Sequence, residues 1–150
     1  MNLLLIFQNR VLWSALIAWG LAQTLKIPLT YLTTRRWDWS LLLRAGGMPS
    51  SHSALVTAAT HGVGLYLGFD HPLFAVAFAF TMVVVYDATG VRRQAGMQAQ
   101  KINVLVNELL SGHPLSQDDL REVLGHTPLE ALAGVLLGLV VSTLVWFVWR

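Results

Sequence analysis

The stretch LGHTPLEALAGVLLGLVVSTLVWFV, residues 124–148, sets the fold class. From Pro128 onward its one charged residue is Glu130. A helix crosses the hydrocarbon of a bilayer with about 20 predominantly apolar residues, and positions 128–148 supply that length. Thr127-Pro128-Leu129-Glu130 has the form of a capping box with proline at the first helical position, so the helix has a marked start as well as an apolar body. The period-two alternation of a membrane barrel strand is missing.

Outward from this run, the rest of the chain repeats the pattern. Its 150 residues are the size of one domain. Hydrophobic residues make up 55% and charged residues 12%, and the apolar ones come in blocks, which points to membrane spans rather than a soluble core. Three more spans are expected over residues 11–32, 50–69 and 72–86. The first is interrupted by Gln23, Lys26 and Pro28. The third is short, and either draws in residues 88–90 to reach bilayer length or is partly shielded by protein. Gly68 closes the second span, and Asp70 followed by Pro72 reads as the N-cap and first-turn proline of the third, giving a tight hairpin. The long segment 87–127 carries Ile102, Leu105, Val106 and Leu109 at helical spacing over 97–110. Residues 116–124 read as a short helix, with Ser116 and Asp119 as its capping box. The expectation is an all-α integral membrane protein with about four transmembrane helices, plus short amphipathic helices in the loop between spans three and four. The lack of cysteine excludes disulfides, thiolate chemistry and cysteine zinc sites. A net charge of +2, scattered along the chain, does not suggest a nucleic-acid partner.

Four spans bring loop one (33–49) and loop three (87–127) to the same side. The starts of spans two and four then lie at one depth. The first start carries Ser50, Ser51 and His52; the second carries His126, Thr127 and Glu130. Loop three adds Asp87, Arg92 and Arg93, and the end of span one adds Lys26, Arg35 and Arg36. Helix N-termini offer N–H groups and a positive dipole end to an anion. Arginines recognise phosphate oxygens in pairs, and Asp87 is placed to fix an arginine fork. Histidines are suited to nucleophile and general-acid roles, and a carboxylate can orient an imidazole. The ligand this set fits is an anionic phosphate at the membrane surface. Each group also has a plainer reading. Ser50 or Ser51 caps span two, Glu130 closes a capping box, Lys26 snorkels, and the arginines follow the positive-inside bias. His61, His71 and His113 have no evident partners and read as structural or exposed.

The same residues resemble a known family. Pro49-Ser50-Ser51-His52 is similar to the P-S-G-H motif of the type 2 phosphatidic acid phosphatase superfamily, which includes lipid phosphate phosphatases, bacterial acid phosphatases and vanadium haloperoxidases. Residues 125–134, GHTPLEALAG, resemble its G-x-H-x-x-x-D-V-x-A-G signature. The order GGMPSSHSA, YDATGVRRQAG, LGHTPLEALAG resembles the divergent branch of that superfamily over nearly the whole chain. Ser51 stands where the motif has glycine, and Glu130 where it has aspartate. Lys26 is followed by Arg35 and Arg36 at a longer spacing than the family's first motif.

The resemblance implies a single membrane-embedded phosphatase-like domain over residues 1–150. It implies metal-independent hydrolysis of a lipid phosphate or diphosphate at the membrane surface, with no cofactor. His126 would attack phosphorus and form a phosphohistidine. Glu130 would hold its imidazole, and His52 would protonate the leaving alkoxide. Ser50, Ser51, Arg92, Arg93 and Lys26 would neutralise the phosphoryl oxygens, with Asp87 in support. The rival reading is a non-catalytic membrane protein that binds a lipid phosphate as carrier or regulator. Homo-oligomerisation stays open. Arg35, Arg36, Arg44, Arg92, Arg93, Lys101 and Arg121 fall in loops one and three, against Arg10 and Arg150 on the other side. The site is therefore expected to face the cytoplasm.

Overall fold

Asn9 begins the first helix: its side chain accepts the Leu12 N–H at 3.0 Å, satisfying one of the donors that a helix start leaves unpaired. The computed structural model describes residues 3–42, 46–110 and 126–149; the side chains of residues 3, 92, 93 and 107–110 lie outside the description. α1 spans Arg10–Thr34 and ends at Arg35, whose φ of 57° turns the chain away. A short 3-10 turn, Trp39–Leu42, follows. α2 spans Ser51–Leu67, with Ser50 as N-cap and Gly68 as C-cap. Gly68 has φ 105°, a conformation that glycine adopts at little cost. α3 spans Pro72–Thr89, α4 Val91–Leu110 and α5 Pro128–Val148.

The described residues are helical with no strand, as expected for the fold class. Two helical stretches, Pro72–Val106 and Pro128–Val148, are long and apolar enough to cross a membrane. α3 does draw in residues 87–89 and stops at Gly90, whose N–H bonds the Tyr86 carbonyl at 2.8 Å. Two details correct the sequence expectation. The N-cap of α3 is His71, not Asp70, because the ring Nδ1 accepts the Leu73 N–H at 3.1 Å. The amphipathic helix expected from residue 97 begins at Val91. The expected helix at 116–124, together with Arg44, His113 and Arg121, lies outside the described residues.

α2 is the central helix, in contact with α1, α3 and α5, and α1 also touches α5. The buried core is made of small residues: Ala18, Ala22, Ala54 and Ala58, with Val141. Large apolar side chains such as Phe80, Val83, Leu136 and Phe147 point outward. This distribution suits a bundle solvated by hydrocarbon, where tight helix approach rather than escape from water holds helices together.

Gly134 and Gly138, one turn apart on α5, show how tight the approach is. A Cβ at Gly138 would lie 2.6 Å from the Ala54 carbonyl oxygen and 3.0 Å from the Ala58 nitrogen. A Cβ at Gly134 would strike the Ser50 carbonyl oxygen. Polar side chains add cross-links deeper in the bundle. Thr60 and Thr81 hydroxyls meet at 2.7 Å, and Thr81 also donates to the Val56 carbonyl. His61 does have a partner: its Nδ1 lies 2.7 Å from the Ser142 hydroxyl, tying α2 to α5. At the far end of the bundle the Arg10 guanidinium sits 5.6 Å from the Tyr66 ring centroid, a cation–π contact.

Gly138→Val should force α2 and α5 apart, since the obstructing atoms are backbone. Overpacking of this kind costs about 1–3 kcal/mol. Gly20→Ala on α1, where an added Cβ meets nothing within 4 Å, should be neutral or stabilising by up to about 1 kcal/mol. Chemical denaturation of both variants in detergent micelles would check the contrast; equal stability of the two would contradict the close crossing.

Candidate active site

The site grows from the crossing of α2 and α5. The Ser50 N–H donates to the Glu130 carbonyl oxygen at 2.9 Å, a backbone bond that fixes the start of α2 against the first turn of α5. A second backbone bond, from the His126 N–H to the Ala88 carbonyl at 2.9 Å, ties the entry of α5 to the last turn of α3. Three helices therefore position one short stretch, His126-Thr127-Pro128-Leu129-Glu130.

Within that stretch the capping box is complete. Thr127 Oγ1 accepts the Glu130 N–H at 3.3 Å, and Glu130 Oε2 accepts the Thr127 N–H at 3.1 Å. The same oxygen lies 3.1 Å from His126 Nδ1. Glu130 thus acts both as helix cap and as imidazole partner, where sequence alone had offered these as competing readings. With the proton on Nδ1, directed at the carboxylate, Nε2 carries the ring's lone pair. His126 is 5% exposed, whereas His52 is exposed. The two ring centroids are 6.5 Å apart.

The cationic side is supplied by α1. Lys26 is fully buried, so it does not snorkel. Its Nζ donates to Ser51 Oγ at 3.5 Å, and the Glu130 carboxylate attracts it electrostatically. Gly47 packs over its stem: a Cβ there would lie 3.9 Å from Lys26 Cδ. Ser50 is also fully buried and Ser51 nearly so. Ser50 Oγ accepts from the Ser53 N–H at 3.3 Å and the Ser53 hydroxyl at 3.1 Å, so Ser50 is a helix cap first. The start of α2 adds the positive end of its dipole at the same place.

Lys26, Ser50, Ser51, His52, His126 and Glu130 are therefore brought together. Arg92 and Arg93 lie in the first turn of α4, and their side chains are outside the description. Asp87 lies in the last turn of α3, next to Ala88. Among the described residues, no group of three or more His, Asp or Glu side chains is placed to hold a metal ion. Sequence reading missed Ala88, Ser53 and Gly138. Ala88 acts through its carbonyl, which leaves no side-chain signal. Ser53 sits three residues after Ser50, the spacing at which a cap and its partner meet. The Gly134-x-x-x-Gly138 pattern inside an apolar run is a readable signal for close helix packing.

The arrangement suits nucleophilic attack on an anion. It offers an oriented imidazole, a second imidazole across a gap, a buried ammonium, a serine hydroxyl and a helix N-terminus.

The family model described as the divergent PAP2 family matches residues 7–141. The chain is also similar to the uncharacterized membrane protein YuiD of Bacillus subtilis (strain 168), with 44% identity over 145 residues covering 89% of this chain and 92% of the relative. No solved structure matches the chain. With a match that runs through the Lys26 helix, the serine start of α2 and most of α5, this membrane protein belongs to the divergent PAP2 family.

Proposed function

We propose that this chain hydrolyses a phosphomonoester or diphosphate on a membrane lipid, without a metal, through a phosphohistidine. The observation that carries the reading is the His126–Glu130 contact at 3.1 Å, set beside buried Lys26 and Ser51 and facing His52. His126 Nε2 attacks phosphorus, and the bond to the lipid oxygen breaks. His52, protonated, gives its proton to the departing alkoxide. Water then attacks the phosphohistidine, with His52 taking the proton, and phosphate leaves from a neutral His126. Lys26, Ser51 and the α2 N-terminus stabilise the charge that gathers on the phosphoryl oxygens, with Arg92 or Arg93 joining them from the start of α4. Ser50 serves by holding the α2 start in place.

The membrane arrangement belongs to the same proposal. α1, α2, α3 and α5 span the bilayer, loops one and three share a side, and the basic residues of those loops put that side in the cytoplasm.

His126→Ala should lower phosphate release by at least about 10³-fold. His52→Ala should cost about 10²–10⁴-fold, most for lipids with poor leaving groups. Glu130→Gln keeps an oxygen for the Thr127 N–H, so stability should hold while turnover falls by about 10²-fold or more. Rapid-quench trapping with labelled lipid phosphate should yield an acid-labile, base-stable phosphoenzyme in the wild type and none in His126→Ala. Normal release from His126→Ala would refute the nucleophile. Tight lipid-phosphate binding with no release from the wild type would make the chain a carrier or regulator.

The topology has its own test. The chain lacks cysteine, so Ser40→Cys in loop one and Asp70→Cys in the hairpin each give one label site. In intact cells an impermeant thiol reagent should label position 70 and spare position 40; the reverse would overturn the assignment.

A further inference from the structure

Beside the polar cluster, between α1 and α5, lies an open apolar groove of about 290 Å³. Leu25 and Leu29 form one wall, Ala133 and Val140 lie along the other, and Met48 and Pro49 close the end nearest the site. We infer that this groove holds one hydrocarbon chain of an anionic phospholipid whose phosphate sits at Lys26 and Ser51. The inference rests on the proposed lipid-phosphate reading of that site and adds where the tail lies.

Three observations carry it. First, the two regions share a wall: Pro49 lines the groove, while the next residues, Ser50 and Ser51, are buried in the polar cluster. Lys26 lies between Leu25 and Leu29 in sequence but is fully buried, so one stretch of α1 presents an ammonium to the cluster and leucines to the groove. Second, the direction is right for an amphiphile. α5 begins on the site side, so Ala133 to Val140 leads away from the head position, while Leu25 and Leu29 flank the level of Lys26 on α1. The α5 wall extends about 10 Å, seven residues at helical rise. Third, the charges of site and ligand are complementary. A fully buried lysine and a helix N-terminus favour an anionic head, while a groove wall of aliphatic side chains gives no partner to a polar ligand. An ordinary bilayer lipid fits the groove equally well but has no reason to place an anionic head at Lys26. Head and tail together select an anionic lipid over both a zwitterionic lipid and a water-soluble phosphate.

The small side chain of Ala133 keeps the head end of the groove open. Ala133→Trp would fill it there, and Leu136→Trp, one turn deeper on an exposed position, would fill it without touching the cluster. The test uses the full chain in phosphatidylcholine nanodiscs doped with phosphatidic acid carrying a diazirine on one acyl chain. A matched sample carries phosphatidylcholine with the same diazirine chain. Photolabelling of Leu25, Leu29 and residues 133–140 by the anionic probe should exceed that by the zwitterionic probe about tenfold. Excess unlabelled phosphatidic acid should compete it away, glycerol phosphate should not, and either tryptophan variant that stays monodisperse should remove it. Equal labelling by the two probes, or an excess that persists in a monodisperse filled variant, would overturn the inference. Phosphate release is read in parallel. Selective labelling without release keeps the groove and removes hydrolysis; release without selective labelling keeps hydrolysis and removes the groove.

Discussion

The contact on which the rest depends is the backbone-close crossing of α2 and α5. Because Gly134 and Gly138 carry no side chain, the Ser50 carbonyl and the backbone of residues 54–58 come within reach of α5. That closeness allows the Ser50 N–H to bond the Glu130 carbonyl. Without it the serines of α2 and the histidine–glutamate pair of α5 would belong to separate helix ends. In a hydrocarbon solvent, burial of large apolar side chains gives little reason to associate, so dispersion contact between small residues and a few hydrogen bonds carry the assembly. The alanine-rich core and the outward-facing Phe and Leu side chains follow from that constraint.

Glu130 concentrates several demands on one carboxylate. It caps α5 through the Thr127 N–H, holds His126 Nδ1, and attracts Lys26 across the bundle. A buried ammonium is costly unless it is paired or hydrogen-bonded. Lys26 meets that condition with the Ser51 hydroxyl and the Glu130 charge, so its position is locked by the same groups that shape the site. The motif's glycine is replaced here by Ser51, and its hydroxyl becomes the partner of that lysine. One Glu130 oxygen serves both the cap and the imidazole.

Two further cross-links, Thr60–Thr81 and His61–Ser142, sit along α2 away from the site. Each joins the central helix to a different neighbour, α3 or α5. The site end and the distal end of the bundle are thus each tied to α2, and the intervening contacts are small-residue packing. At the site end the His52 and His126 rings lie 6.5 Å apart, centroid to centroid.

Local chemistry made much of this legible from sequence. Apolar run length marked α5, the capping box marked its first residue, Gly68 marked the end of α2, and the serine and histidine motifs marked both helix starts. These are properties of neighbouring residues in the chain, and side-chain type records them. Asp70 was misread as a cap because Asp and His both accept a backbone N–H, and only the φ/ψ of His71 decides between them. Nothing local could place Ala88 against His126, since a carbonyl oxygen is common to every residue. The partner of His61 was hidden because Ser142 lies 81 residues away. Sequence alone determined the all-helical class, the start of α5, the end of α2 and the chemical types at the two helix starts. Tertiary structure decided which of those groups touch, that Lys26 turns inward rather than snorkelling, and that Glu130 is both cap and imidazole partner. Those contacts depend on how closely α2 and α5 approach, a distance set by packing between residues far apart in the chain.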